Sequence, residues 1–484
     1  MRRLKSLAAA VLLLALTVAP AEAQPAPAPG DKTTPHTIRL PSGPLDFTAE
    51  VETMKLADPK GAVQAEIVTT AFIAKGGDPA KRPVTFAING GPGAASAWLD
   101  LGAIGPWRVP MGLPSAAPIP IENAETWLDV TDLVFIDPPG TGYSRVTGGD
   151  EARRQFYSVN GDIDTLAVVA RRWLEGHGRL LAPKFIVGES YGGFRGPKLA
   201  RTLLDKQGVG VSGLVLISPV LDFNGREAPW NPFTYVVTLP TMAATYREAH
   251  SRAEVADVES YATGDFLSDL LKGERDTAAV DRLSSRVAAL TGLDPALVHR
   301  RAGRIDLSTF LRDRVPGKVG SPYDGTVEAW DPFPSAANDN SPDPILDGQR
   351  APLTSAMLFV YHDWLDWQPE GAPARQYEVL NGQVAHDWDY GRRNGRPEAF
   401  TELRQFLALD PSTRVIVAHG LNDLVTPYFT DALLLRQTPS FGAPSQIQLL
   451  TYPGGHMFYC RNESRQALHR DMAAMVASAL AARQ

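Results

Sequence analysis

Three polar residues, far apart in the chain, have the types needed for nucleophilic acyl transfer. Ser190 lies in Gly188, Glu189, Ser190, Tyr191, Gly192. Small residues two positions before and two after a serine permit a strand-to-helix turn sharp enough to lift its hydroxyl clear of the backbone. His456 follows Gly454 and Gly455, and Asp423 lies in the run AHGLNDLVTP. A histidine can take the serine proton during attack and return it to the leaving group. An acid can fix the ring tautomer and offset the imidazolium charge. Serine, acid, histidine is one of the chain orders in which such triads occur. His419 is a rival base, but it shares the acid's loop and reads as a structural or rim residue. Asp410 is a rival acid that precedes the strand. Asp137 precedes the serine and reads as a holder of backbone N–H groups.

Elements that would position these groups are visible as apolar runs. Phe185 to Val187 leads into the serine turn, Val415 to Ala418 into the acid loop, and Gln446 to Tyr452 into the histidine loop. Pro83 to Ile88 runs into Asn89, Gly90, Gly91, Pro92 and Gly93, a glycine cluster whose uncovered N–H groups suit an oxyanion. Leu133 to Ile136 ends in Asp137, Pro138, Pro139 and Gly140, and Leu214 to Val220 reads as another buried strand. Ile163, Leu166, Ala167, Ala170, Trp173 and Leu174 recur at helical spacing, as do Leu468, Met472, Met475, Val476 and Leu480. His36 to Lys75 alternates apolar and polar residues, as antiparallel strands with one wet face do. The expectation is an α/β fold, a mostly parallel central sheet flanked by helices, with its loops gathered at one edge.

The change of texture after residue 223 sets the domain boundaries. Prolines, tryptophans and irregular polar stretches dominate residues 224–411, which are expected to form a large cap insertion over the active-site edge. The core is then split into 36–223 and 412–484. His362 with Asp363, and His386 with Asp387 and Asp389, raise a metal hypothesis. Neither group has a recognised ligand spacing, and solvated cap residues account for both.

Read together, NGGPGAAS (Asn89 to Ser96), DPPGTGYS (Asp137 to Ser144), GESYGG (Gly188 to Gly193), the Asp423 loop and GGHMFY (Gly454 to Tyr459) resemble the serine carboxypeptidase family, a branch of the α/β-hydrolase fold. The resemblance implies Ser190, Asp423 and His456 as the catalytic triad and the backbone N–H groups of Gly91 and Tyr191 as the oxyanion hole. It also implies that Asn89 and Glu189 bind the free C-terminal carboxylate of a peptide, with a shared proton that favours acidic pH. The implied reaction is release of C-terminal amino acids through an acyl-enzyme. It requires no metal or organic cofactor. Some family members have a tryptophan where this chain has Ala87, and the disulfides of eukaryotic members are absent. An esterase or acyltransferase using the same triad is the alternative; it has no need of the Asn89 and Glu189 pair. A non-catalytic binding protein that keeps the fold is a third reading, against which stand the serine, acid, histidine and oxyanion glycines.

Composition limits the partners. The 484 residues are 44% hydrophobic and 21% charged, with a net charge of -7, so no basic tract is available for nucleic acid. Arg2, Arg3 and Lys5, the apolar run Leu7 to Val18 and the Ala21, Glu22, Ala23 pattern describe an export signal cleaved after Ala23. A flexible lead-in at 24–35 follows. The apolar run is shorter than the ~20 residues a span requires, so no stable membrane insertion is expected after cleavage. Cys460 is the only cysteine and reads as a small apolar residue. An exported chain without disulfides suggests a bacterial periplasmic or secreted protein.

Overall fold

The computed structural model describes residues 30–111, 119–224, 229–336, 341–368, 376–391, 397–441 and 446–482. The expected export signal and its Ala23 cleavage point lie outside them. Among the described residues the main strands are β1 (Lys32–Leu40), β2 (Gly43–Ala57), β3 (Val63–Ala74), β4 (Val84–Ile88), β5 (Asp132–Ile136), β6 (Lys184–Glu189), β7 (Gly213–Ile217), β8 (Arg414–Gly420) and β9 (Ile447–Tyr452). They form one sheet in the order β1-β2-β3-β5-β4-β6-β7-β8-β9, with the short strand Arg145–Val146 also paired to β3. From β5 to β9 every pairing is parallel, and from β1 to β5 every pairing is antiparallel.

Burial follows from this arrangement. All residues of β4, β5, β6 and β7 are buried, because helices cover both faces of the parallel part. On β1 the pattern alternates, as an edge strand with one wet face requires. One face is covered by α1 (Val159–Gly176) and α2 (Tyr191–Gln207), with Leu166, Trp173, Phe194 and Leu199 buried against the sheet. The helical spacing expected around Trp173 is therefore that of α1. The closing helix, α8 (Asn462–Ala481), places Leu468, Met472, Met475 and Val476 on the other face.

Three boundaries differ from the sequence expectation. The end of the lead-in, from Lys32, is already sheet: Thr33 to Pro35 pair with Glu50 to Thr48. Pro35 is accommodated there because β1 is an edge strand. The strand read as Leu214 to Val220 stops at Ile217, because Ser218 turns the chain at φ 44 and Pro219 lacks an N–H for the ladder. The stretch 224–411 is largely helical rather than irregular, including α3 (Pro232–Arg247), α4 (Thr277–Thr291), α5 (Leu346–Phe359) and α6 (Phe400–Leu409). Nor does it act only as a cover. Leu403, Phe406 and Leu407 of α6 join the core beneath α2, whereas Leu353, Met357 and Tyr361 join the core beneath the antiparallel strands. The α3 and α4 region has its own apolar core, shared with Leu421, Leu424 and Phe429 on either side of the Asp423 turn.

One buried ion pair ties the helices to the loop after β4. Arg195 of α2 donates from Nε to Asp162 of α1 at 2.7 Å, and from Nη1 to the carbonyl oxygens of Asn89 at 2.6 Å and Gly90 at 3.3 Å. Both side chains are almost fully inaccessible. Removing only the guanidinium would leave Asp162 and the Asn89 carbonyl without a partner in a dry site, while the Gly90 carbonyl keeps the Ala94 N–H. Arg195→Met is therefore expected to lose about 3–5 kcal/mol of stability, read from urea unfolding midpoints. The Arg195→Met, Asp162→Asn double variant should recover part of that loss. A single variant as stable as the parent would remove this pair from the fold's supports.

Candidate active site

The nucleophile turn is built from close backbone approach. Ser190 sits at φ 59, ψ -120 between β6 and α2. A Cβ on Gly188 would lie 2.0 Å from the Gly192 carbonyl oxygen, and one on Gly192 would lie 2.2 Å from the Ile88 carbonyl oxygen. The two glycines flanking the serine are thus required by packing between the turn and β4. The Ser190 N–H donates to the Ile217 carbonyl at 2.9 Å, and the residue remains partly accessible among buried neighbours.

The acid and the base meet as their order suggested. His456 Nδ1 lies 2.8 Å from Asp423 Oδ2, and both residues are buried. Asp423 also accepts from the N–H groups of Val425 and Thr426, each at 2.9 Å, and from the Thr426 hydroxyl at 2.6 Å. Burial alone would raise the Asp423 carboxyl, but His456 and these donors hold it below its ordinary value. Burial alone would lower His456, but Asp423 and Glu189 outweigh it and raise the ring. With Nδ1 committed to Asp423, Nε2 is the ring nitrogen left to take a proton.

Around this pair are residues the sequence reading did not single out. The Ser218 hydroxyl donates to the His456 carbonyl at 2.8 Å, and the Thr426 hydroxyl donates to the Ser218 carbonyl at 3.1 Å. The Tyr323 ring, from the insertion, stands edge-on to His456 with centroids 5.4 Å apart. Thr426 was accessible to sequence reasoning, since an aspartate followed three residues later by a threonine is a common turn arrangement. Tyr323 carried no such signal.

Glu189 is buried at the end of β6 with no cationic side chain bonded to it. The Asn89 amide donates to it at 2.6 Å, and the Tyr459 hydroxyl lies 2.9 and 2.8 Å from its two oxygens. Burial pushes its carboxyl up to about 7, against the lowering influence of His456, Tyr459 and Asn89. Asn89 is itself held, its side-chain oxygen accepting from the Leu99 N–H at 2.9 Å. Tyr459 lies in the GGHMFY motif but was given no role there.

Gly90 packs so closely on the nucleophile turn that a Cβ would meet the Tyr191 nitrogen at 2.6 Å. The glycine loop that carries Gly91 is therefore seated beside the start of α2. Tyr191 is the first residue of that helix, where N–H groups have no intrahelical acceptor. The loop is buttressed from the insertion: the Ala95 N–H donates to Val379 at 3.0 Å and the Asn381 N–H to Gly93 at 2.8 Å.

The rival residues go elsewhere. His419 is on β8 rather than at the rim, fully buried, with Nε2 2.9 Å from Asp431 on α7 (Tyr428–Leu435). Asp410 caps its own turn by accepting from the Ser412 N–H. Asp137 accepts from the Ser96 N–H at 2.9 Å, and burial pushes it up to about 6. His362 with Asp363 and His386 with Asp387 are separate surface pairs. Among the described residues, one set of ligand atoms lies close enough together to share a metal: Glu50, Glu52 and His177. There the His177 ring is raised by its two carboxylate neighbours and the Trp173 carbonyl despite its burial, as in an ion pair.

This geometry makes Ser190→Ala and His456→Ala the decisive variants. Each should lower turnover of any acyl substrate by several orders of magnitude and leave the circular dichroism spectrum unchanged. Fluorophosphonate labelling should be lost with Ser190→Ala. A residual rate within about tenfold of the parent would mean another nucleophile.

The chain's residues 71–272 match the family model described as serine carboxypeptidase. That segment includes Asn89, Gly91, Glu189, Ser190 and Tyr191, whereas Asp423 and His456 lie beyond it. Serine carboxypeptidase-like 45 of Arabidopsis thaliana is 31% identical over 164 residues, 31% of this chain and 33% of that protein. The pheromone-processing carboxypeptidase KEX1 of Saccharomyces cerevisiae is 32% identical over 130 residues, 26% of this chain and 17% of that protein. The match thus spans about a third of the plant relatives' length. Beyond the matched segment the fold extends the likeness: the crystal structure of Kex1(delta)p, a prohormone-processing carboxypeptidase from Saccharomyces cerevisiae, superposes with a TM-score of 0.57 at 14% identity, covering 89% of this chain and 91% of that one. Over residues 71–272, the segment that holds its nucleophile turn, this chain is similar to serine carboxypeptidases, and its fold is that of an α/β-hydrolase.

Proposed function

We propose that the protein is a serine-type carboxypeptidase that releases C-terminal amino acids from peptides. Ser190 attacks the last peptide bond and His456 takes its proton, then returns it to the departing amino acid. Asp423 holds the imidazolium, and the N–H groups of Gly91 and Tyr191 receive the oxyanion. Water then releases the shortened peptide from Ser190 by the same proton route in reverse.

The observation that carries this reading is Glu189. A buried carboxyl beside a nucleophilic serine, held by an amide and a phenol and raised to about 7, is a poor neighbour for most acyl substrates. It suits a substrate that brings a carboxylate of its own, because the two groups can share one proton. An esterase has no use for this group.

Export to the periplasm or medium belongs to the same proposal. It rests on the basic and apolar residues before Ala23 and on the lack of a disulfide partner for Cys460. No described helix is long and apolar enough to cross a membrane.

The pH dependence follows from the sign of the Glu189 shift. The protonated form is the one that pairs with a substrate carboxylate, so peptidase action should fall as pH rises through about 7. Hydrolysis of an aryl ester without a carboxylate should not share that fall. The ratio of the two rates for the parent should therefore drop between pH 5 and pH 8. In Glu189→Gln, whose amide donates at any pH, the ratio should stay within about threefold. Mass spectrometry of a blocked peptide and its amidated twin supplies the second check, with loss of single terminal residues expected from the free acid alone. Equal cleavage of both forms would transfer the protein to the general esterase and acyltransferase reading.

A further inference from the structure

Away from the triad, Glu50, Glu52 and His177 each turn a ligand atom toward one point, and these atoms all lie within 4.8 Å of one another. Glu50 and Glu52 are two positions apart on β2, so both side chains leave the same face of the sheet. Met54 and Leu56 continue that row and pack with the core under α1. His177 directly follows the last residue of α1, which brings its ring down onto the two carboxylates. Its Nε2 is 2.9 Å from Glu50 Oε2 and 3.4 Å from Glu52 Oε1.

The ring is oriented as a metal-ligating imidazole is. Nδ1 lies 2.8 Å from the Trp173 carbonyl oxygen, which can only accept, so Nδ1 carries a proton and the lone pair of the neutral ring is on Nε2. The Trp173 ring stacks on it, with centroids 4.1 Å apart and planes at 14°, and fixes its plane. A lone pair and two carboxylates thus face one another, and among the described residues no lysine or arginine is ion-paired with either acid. A proton on Nε2 offsets one carboxylate and leaves the other. Burial raises the Glu52 carboxyl, and Asp31 and Glu50 add to that against the lowering influence of His177. A divalent ion would neutralise both acids and leave the ring neutral. Metal bonds of about 2.0–2.2 Å put tetrahedral ligand atoms about 3.3 Å apart. The 3.4 Å separation already matches, and the 2.9 Å one needs to open by about 0.4 Å. The three side chains keep 17%, 19% and 26% of their exposure, so water can reach a fourth position.

We propose that Glu50, Glu52 and His177 bind a divalent transition-metal ion of the zinc class, which staples β2 to the end of α1. Imidazole among the ligands selects such an ion over calcium or magnesium, which take oxygen ligands. The ion displaces the proton from Nε2 to solvent, since both use the same lone pair. Its role is structural. Three strands stand between β2 and β6, which puts the two roughly 19 Å apart across the sheet. The ion therefore takes no part in the chemistry at Ser190, and the proposal does not depend on what Ser190 attacks.

The test is calorimetric titration of the purified, chelator-treated protein with zinc chloride at about pH 8, where protons compete least for the ring, paired with thermal unfolding. One equivalent should bind with a Kd of about 1 μM or tighter, and zinc at about a hundredfold over Kd should raise the unfolding midpoint by roughly 2–5 °C. Glu52→Gln keeps the bond between His177 and Glu50, so without zinc it should unfold at the parent's midpoint. It should nevertheless bind zinc at least about tenfold more weakly and lose the zinc-dependent rise. His177→Gln should lose both as well. His386→Gln, which alters an exposed pair on the insertion, should bind as the parent does. The assignment is overturned by a Kd weaker than about 100 μM, by binding that survives Glu52→Gln and His177→Gln, or by loss of binding in His386→Gln. Calcium chloride binding as tightly as zinc would leave the imidazole without a part and overturn it too. Aryl ester turnover should be unchanged by one equivalent of zinc; its loss at that stoichiometry would put the ion on His456 instead.

Discussion

Burying a carboxyl with no cation bonded to it is costly, and in this protein that cost falls at the residue before the nucleophile. Glu189 is tolerated because the loops after β4 and β9 both reach it, one with the Asn89 amide and the other with the Tyr459 hydroxyl. These bonds connect three strand ends around Ser190. They also couple Glu189 to His456, so that the proton on one and the charge on the other are set together.

The supports behind this group are mostly backbone. Arg195 holds the carbonyls of Asn89 and Gly90 from below, Asp137 holds Ser96, and the segment from Val379 to Asn381 holds Ala95 and Gly93. The insertion thus does more than cover the site. Its helices share an apolar core with Leu421 and Leu424 beside the acid, and Tyr323 packs against the base. With no disulfide available, these contacts fix where the insertion lies relative to the triad.

Much of the site was legible because its chemistry depends on short local patterns. The small residues around Ser190 are required by contacts of about 2 Å that any side chain would violate, and that requirement is visible in the sequence. The Asp423 and His456 assignments followed from strand-end position and chain order. The insertion was less legible for the opposite reason. Its α3 helix is buried on most sides and so shows no apolar stripe, and α6 and α5 are stabilised by burial against distant parts of the core. Strand ends such as Ile217 depended on one residue, Ser218, whose backbone conformation is imposed by its bonds to Ala418 and His456.

By itself the sequence determined Ser190, Asp423 and His456 as candidates and the chain positions of the strands that precede them, because residue type and local spacing suffice for each. Only the tertiary structure decided that Glu189 is buried beside Tyr459, that His419 belongs to a separate pair with Asp431, and that Tyr323 packs against His456. Those facts depend on contacts between residues tens to hundreds of positions apart. Burial and hydrogen bonding across such separations leave no local periodicity in a chain.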